Sequence, residues 1–546
     1  MGAKSSEIVV GIDFGTTYSG VSWAINGGKK TIRLINNWPD PSALNASKDK
    51  VPSAISYVNG KPQKWGYTVG LSDESFKWIK ILLEEHHAYV TTVKPVKDSN
   101  TLLRKVDKTA QAVVADYLRL LWGYTLDDIR KFHPDFQEIF ALRVVLTVPA
   151  VWSHAAKDRT SQAARLAGLP EDITLVTEPE AAALATLKEK ADEQTLKVGD
   201  AFVVCDAGGG TVDLISYEVE DLNPLKLREC AIGSGALCGS VFLDLGFQKY
   251  IEILIGANEY NSIKEASRKK MMREFEYGIK RTFTGKNDQP YSVDLRGVKD
   301  DPANNIIDDT ITIKMSALRT VFDHVYCQIE KLVDDQIADV SDKGLSVKAI
   351  LEVSCTRRNP IVAGQWSVVF NLTGSNSMGY GVRISPVYDS SKHINQDCYY
   401  DEVEGVDKAC NQMRWLLKRG DTVEEGRTLQ MEYYKNVQVG MRDALWRDGK
   451  RDFCMRLFYN DEPTPPTRKT LGVKLLCELS YEASCADLYI EESFKSPVTK
   501  EKYRHATFQV SIIPRSADLE FVVKYRDEEL ARVQADYAEN LRDTEV

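Results

Sequence analysis

No stretch of this 546-residue chain approaches the roughly 20 consecutive apolar residues that a helix needs to cross a bilayer. Its opening, Met1 to Val10, has no apolar secretory core. The ten cysteines form neither a CxxC pair nor a His/Cys cluster at zinc spacing. Cys205 and Cys230 lie inside apolar runs, where cysteine serves as a small buried hydrophobe. This usage points to a reducing, cytoplasmic setting. Positive charge is also in the minority, 70 Lys and Arg against 79 Asp and Glu, and the formal net charge of -9 argues against nucleic acid or an anionic membrane as the main partner. Met1, Gly2 and Ser6 fit the loose N-myristoylation pattern, but only Lys4 stands nearby and no polybasic patch adds a second anchor. A flexible N-terminus is expected there.

What is present is an ordinary globular composition, 43% hydrophobic and 27% charged, over a length that calls for two or more lobes. An apolar run from Ile8 to Ile12 breaks at Asp13-Phe14-Gly15-Thr16-Thr17 and resumes from Val21 to Ile25, which reads as a β-hairpin. The same grammar returns with Phe202 to Cys205, the turn Asp206-Ala207-Gly208-Gly209-Gly210-Thr211, and Val212 to Val219. That period is too long for a solenoid and reads as an internal duplication. Between the hairpins, Val144 to Pro149 is a strand. Ser153 caps a helix that runs to Leu166 and stops at Gly168. Helices are expected near 241–255, 262–283 and 315–338, and a loop over 286–302. Beyond Pro386, short β-forming runs at 473–479, 486–490, 507–513 and 519–525 predict a small β region, with a short polar helix over 528–540.

Glycine-rich turns between strands present successive backbone N–H groups that can cradle phosphate oxygens, and glycine lets the backbone approach closely. Thr16, Thr17 and Thr211 add hydroxyls. Asp13 and Asp206 close the two first strands, where a hydrated Mg²⁺ would need one or two carboxylates. Asp213 is placed to orient an attacking water or take its proton. One such turn alone is most simply a tight turn. Two matched turns on duplicated hairpins are hard to ascribe to chance.

These residues carry a resemblance. Ile12 to Ser19 resembles the first phosphate motif of the 70-kDa heat-shock chaperones, and Val145 to Ala150 the strand before their connecting helix. Thr177-Glu178-Pro179-Glu180-Ala181-Ala182-Ala183 is similar to their connect motif, and Asp206 to Asp213 to their second phosphate motif. The resemblance implies an α/β fold of two duplicated actin-like ATPase (ribonuclease H-like) lobes around a cleft, with ATP or ADP and Mg²⁺ as ligands. It implies that Gly15, Thr16, Thr17, Tyr18, Gly208, Gly209, Gly210, Thr211 and Gly239 face the phosphates. Asp13 and Asp206 would hold Mg²⁺ through water, and Asp206, Asp213 and Glu178 would act in hydrolysis. Lys77, in the Phe76-Lys77 pair that resembles the atypical branch of the family, is favoured as the catalytic lysine, with Lys80 the rival. Lys280, Arg281 and Thr284 match the adenosine-contacting helix, although Glu276 stands one position further from the lysine than in the family.

The chain departs from the family at Lys348 to Pro360. Val353-Ser354 replaces the paired glycines of the adenosine wall, and about one helix is missing after it. The C-terminal part resembles the atypical branch and is too short for a peptide-binding domain with a helical lid. We therefore expect lobe I over 1–200, a shortened lobe II over 201–386, and a β-rich region with a short terminal helix over 387–546. The implied function is an ATP-binding, slow Mg²⁺-dependent ATPase whose nucleotide state is coupled to lobe closure, with protein clients or co-chaperones as further partners. Two rivals stay open: a nucleotide-binding-deficient interaction protein, and a small-molecule kinase, for which no substrate pocket or catalytic aspartate is identified.

Overall fold

A computed structural model describes residues 6–26, 32–41, 48–70, 72–84, 94–171, 173–189, 197–222, 225–283, 290–354, 373–375, 378–419, 421–424, 427–438, 450–462, 464–484, 493–514, 519–526 and 528–534. The chain divides into two compact units, 1–225 with 233–369, and 226–232 with 370–546.

The first unit contains both expected hairpins. Strands β1 (Ser6–Phe14) and β2 (Tyr18–Asn26) pair antiparallel, with Asp13 opposite Gly20. β3 (Arg33–Leu34) and β4 (Lys50–Pro52) both pair with β2. β5 (Phe140–Val148) runs parallel to β1, and β6 (Ile173–Thr177) parallel to β5. The sheet order is β3-β2-β1-β5-β6. Its central strands are apolar on both faces because helices cover them, the usual pattern of a parallel core.

Helix α1 (Ala110–Phe132) begins where the Thr109 hydroxyl accepts the Ala112 N–H at 3.1 Å, and buries Val113, Val114, Tyr117, Leu118 and Leu121. It packs on α2 (His154–Leu166), whose N-cap Ser153 accepts the Ala156 N–H at 3.2 Å. Gly168, at φ +87°, stops the chain just beyond α2 as expected. Helix α3 (Glu178–Glu189) follows β6 directly.

The second lobe repeats the hairpin. β7 (Ala201–Ala207) and β8 (Val212–Leu222) pair with Asp206 opposite Asp213. β9 (Leu225–Ala236) follows β8, and β10 (Val347–Ser354) runs parallel to β7. Helix α4 (Val241–Ile255) starts just past the hairpin. Helix α5 (Glu265–Glu274) continues into a π-helical turn, Phe275–Ile279, and α6 (Met315–Asp342) lies against β7, β8 and β10. A buried glutamine ties α6 to the sheet: Gln336 donates to the Ser216 hydroxyl at 3.0 Å and accepts from Ser234 at 2.8 Å. Part of the expected 286–302 loop is a strand instead. Tyr291–Asp294 pairs with Thr310–Ile313, and Val293 is buried with Ile311 and Ile313. Tertiary burial overrides the polar composition of that segment.

The second unit is β-rich. Strands β11 (Gly379–Ile384), β12 (Gln412–Leu417), β14 (Lys450–Asn460) and β15 (Lys474–Ser484) form one antiparallel sheet, in the order β12-β11-β14-β15. β13 (Leu429–Gln438), β16 (Lys502–Pro514), β17 (Leu519–Tyr525) and β18 (Glu528–Gln534) form a second. The two sheets share one apolar core, in which Phe508 lies against Tyr433, Phe453, Tyr481 and Tyr525. The expected helix over 528–540 is corrected here: 528–534 is a strand, and 535–540 lie outside the described residues. Arg526, at φ +49°, turns the chain back so that Glu528 pairs with Tyr525, and Leu530 packs on the core. Pairing with β17 outweighs the helix propensity of Glu, Leu and Ala. The 486–490 run also lies outside the described residues.

Phe508→Ala should destabilise this unit by about 3–5 kcal/mol, whereas Leu471→Ser at a fully exposed site should stay within about 0.5 kcal/mol. Urea titrations of both variants check the contrast.

Candidate functional site

The two turns are built alike. In each, four residues stand between the last paired positions: Gly15 to Tyr18 between Phe14 and Ser19, and Gly208 to Thr211 between Ala207 and Val212. A Cβ on Gly15 would sit 2.3 Å from the Tyr18 carbonyl oxygen, so this tight closure accepts only glycine. The turns also approach each other, with Thr17 Oγ1 2.5 Å from where a Cβ on Gly209 would stand, and Thr16 Oγ1 2.8 Å from that of Gly210.

A short stretch before α4 orients the second turn. The N–H groups of Gly239, Ser240 and Val241 donate to the carbonyls of Gly210, Gly208 and Gly209 at 3.1, 3.0 and 2.9 Å. In a planar trans peptide the N–H points opposite to the preceding carbonyl. Three carbonyls drawn to one side therefore turn the N–H groups of Gly209, Gly210 and Thr211 to the other, as a run of donors suited to an anion. Gly239 must be glycine for this packing, since its Cβ would lie 2.6 Å from backbone atoms of Gly209 and Gly210.

Around the turns, Asp13, Glu178, Asp206 and Asp213 form one electrostatic cluster. Asp13 accepts from Lys50 Nζ at 2.8 Å and from Thr147 Oγ1 at 3.2 Å. Burial works to raise its pKa, but Lys50, together with Lys80 and the Thr147 hydroxyl, holds the carboxyl low. Glu178 is pushed up to about 7, first by burial, against the pull of Lys80 and with Asp13 and Asp213 adding repulsion. Burial raises Asp206 well above the usual carboxylate range, helped by Glu178, Asp213 and Asp13. Asp213 is raised by burial too, although the Val151 N–H donates to its Oδ1 at 3.0 Å. Asp213 Oδ2 is buried and has no hydrogen-bond partner among the described residues.

Of the two lysines weighed from the sequence, Lys80 rather than Lys77 stands at this cluster. Lys80 lies in a 3₁₀ turn, Ile79–Leu83, whose five residues are all buried. Arg159 Nε donates to the Leu83 carbonyl at 2.7 Å, and Glu84 accepts from the Ser153 N–H at 3.0 Å, which pins the turn to the start of α2. The Lys80 side chain, 1% exposed, pairs with Glu178, with the Trp152 ring 5.4 Å away. Lys77 precedes the turn and stays exposed; the surrounding walls lower its pKa, with Glu276 and Asp244 opposing. The sequence signal was the apolar frame of Lys80, with Ile79 before it and Ile81, Leu82 and Leu83 after it. Lys50 was missed altogether. Its segment reads as a charged loop, and only the pairing of β4 with β2 brings it inward.

At the helix expected to contact adenosine, Tyr18 donates to Glu276 Oε1 at 2.7 Å, and its hydroxyl lies 2.8 Å from that of Tyr277. The π turn over 275–279 takes one extra residue into the helix, which accounts for the shifted spacing of Glu276. Lys280 is not left facing the cleft: its Nζ sits 2.9 and 2.8 Å from the two carboxylate oxygens of Asp244. Burial raises Asp244 to about 6 despite Lys280. The Arg281 guanidinium stacks over Tyr277 at 4.7 Å. Thr284 and residues 355–372, including the end of the adenosine wall, lie outside the described residues. Among the described residues no three His, Cys, Asp or Glu side chains converge as direct metal ligands, and no helix is long and apolar enough to cross a membrane. The excess of carboxylates over lysines, with one orphaned carboxylate oxygen, suits a cation held through its waters.

The family described as Hsp70 protein matches residues 134–375, and a domain of unknown function (DUF8568) matches 376–539. The chain is 28% identical over 322 residues to human heat shock 70 kDa protein 12B, covering 46% of each protein. It is 24% identical over 329 residues to human heat shock 70 kDa protein 12A, covering 48% of this chain and 47% of that one. Similarity reaches 29% over 222 residues with the chaperone protein DnaK of Thermotoga neapolitana, covering 40% of this chain and 32% of the relative. The chain thus spans less than half the length of each of these relatives. Its duplicated hairpins and helical connections, with the family match over 134–375, are those of an Hsp70-like, actin-like ATPase, followed by a β-rich region.

Proposed function

We propose that this chain binds ATP with its phosphates against the turns Gly15–Tyr18 and Gly208–Thr211, and hydrolyses it slowly. The observation that carries this reading is the run of N–H donors from Gly209 to Thr211, set beside a buried lysine and four carboxylates. Asp213 Oδ2 supplies the acceptor for the proton of an attacking water. Lys80, steered by Glu178, places its charge where negative charge develops on the transferred phosphoryl group. Mg²⁺, when bound through its waters to Asp13 and Asp206, neutralises phosphate charge. Tyr18 on the first hairpin and Glu276 in the π-helical turn that continues α5 link the two lobes, so nucleotide contacts on both sides would couple to lobe closure. A cytoplasmic location and protein clients or co-chaperones belong to the same proposal.

A second reading is favoured by one observation. β10 ends opposite Asp206 and Ala207 with Val353 and Ser354, not with a glycine pair. On that reading the chain is an interaction protein that has lost its adenosine pocket and takes no nucleotide.

Calorimetric titration with Mg·ATP separates the two. Wild type should bind, and Asp206→Asn should bind within about fivefold of it while losing at least about tenfold in hydrolysis; no binding at millimolar nucleotide favours the second reading. In single-turnover hydrolysis, Lys80→Met should lose about 100-fold or more, whereas Lys77→Met should stay within about threefold. The pH profile of kcat/KM should fall below about pH 7, because protonation of Glu178 removes the carboxylate that steers Lys80. Glu178→Gln should abolish that limb of the profile.

A further inference from the structure

The cation bonded to Asp13 comes from outside every motif of the site. In the lobe I sheet, Gly20 pairs with Asp13 on one side and with Lys50 on the other. Directly opposed residues share a face, so Asp13, Gly20 and Lys50 form one row across three strands. Two interstrand steps span about 9–10 Å, which a lysine bridges only if nothing stands between. Gly20 offers no side chain, and Lys50 Nζ reaches Asp13 Oδ2 at 2.8 Å.

The row is held from several sides. The Tyr67 hydroxyl donates to the Lys50 carbonyl at 2.9 Å. Just beyond β4, Ser53 ties to the first turn, its N–H donating to the Thr17 carbonyl at 2.8 Å and its hydroxyl to the Gly15 carbonyl at 2.7 Å. The duplicated hairpin lacks this arrangement. There the place of Gly20 is taken by Asp213, so the carboxylate row of lobe II faces a second carboxylate rather than an ammonium. Within these strand rows, an ammonium stands across from the carboxylate of the first hairpin and a carboxylate across from that of the second.

We propose that Lys50 is a resident counter-cation for Asp13 and for the phosphates at the first turn, so that the chain holds a nucleoside polyphosphate without a divalent ion. The ion is then needed for hydrolysis alone. This rests on the nucleotide-binding reading above. Lys50 acts on binding by placing charge and takes no part in bond breaking.

The test is ADP and ATP affinity of the full chain by calorimetry, in excess magnesium and in EDTA, with melting curves for every variant. Wild type should bind within about fivefold in the two conditions. Lys50→Met should lose at least about tenfold in EDTA and recover in magnesium, while Lys50→Arg should follow wild type. Wild type that binds in magnesium but not in EDTA overturns this proposal alone. Lys50→Met that binds in EDTA as tightly as wild type does so too. No binding by wild type in either condition overturns the nucleotide reading and this proposal with it. The wild-type comparison decides even should Lys50→Met fail to fold.

Discussion

Four carboxylates taken out of water at the ends of apolar strands are the constraint on which the site depends. Asp13, Glu178, Asp206 and Asp213 face one another with two ammonium groups among them, Lys50 and Lys80. Burying an ion costs several kcal/mol even after relaxation, so each carboxylate needs a partner or a proton. Asp13 and Glu178 have lysines. Asp206 and Asp213 are opposed across β7 and β8; burial raises the pKa of both, and at Asp206 the charges of Glu178, Asp213 and Asp13 add to it. The cluster is thus a fixed sink for positive charge, which suits a hydrated cation.

The rest of the site follows from how that sink is framed. Glycines close both turns so that backbone can approach backbone, and the Gly239 to Val241 amides turn the second one outward. The 3₁₀ turn at Ile79–Leu83 delivers a lysine into the interior by burying the apolar residues on both sides of it. Around Glu276 and Lys280 the geometry is more self-contained. Asp244 takes both bonds of Lys280, and Tyr18 joins Glu276 and Tyr277. Any base or ribose docking there would compete with contacts the protein already makes to itself.

Much of this was legible beforehand. Both hairpins, the strand Val144 to Val148, the Ser153 cap and the helix to Leu166 are local features, written in hydrophobic period and capping chemistry. The misreadings share one cause. The strand at Glu528–Gln534 and the one at Tyr291–Asp294 exist because a neighbouring strand pairs with them, and such partners lie outside any local window.

By itself the sequence determined which residues could carry the chemistry: two Asp-x-Gly turns, a Glu178 after β6, and a choice of two lysines. Those are matters of residue type and spacing. Only the tertiary structure decided which charges meet. Lys80 rather than Lys77 joins the carboxylates because burial of its turn draws it in. Lys50 reaches Asp13 because strand register puts them in one row with a glycine between. Register and burial depend on residues far apart in the chain, and a single side-chain row crosses strands that local patterning cannot align.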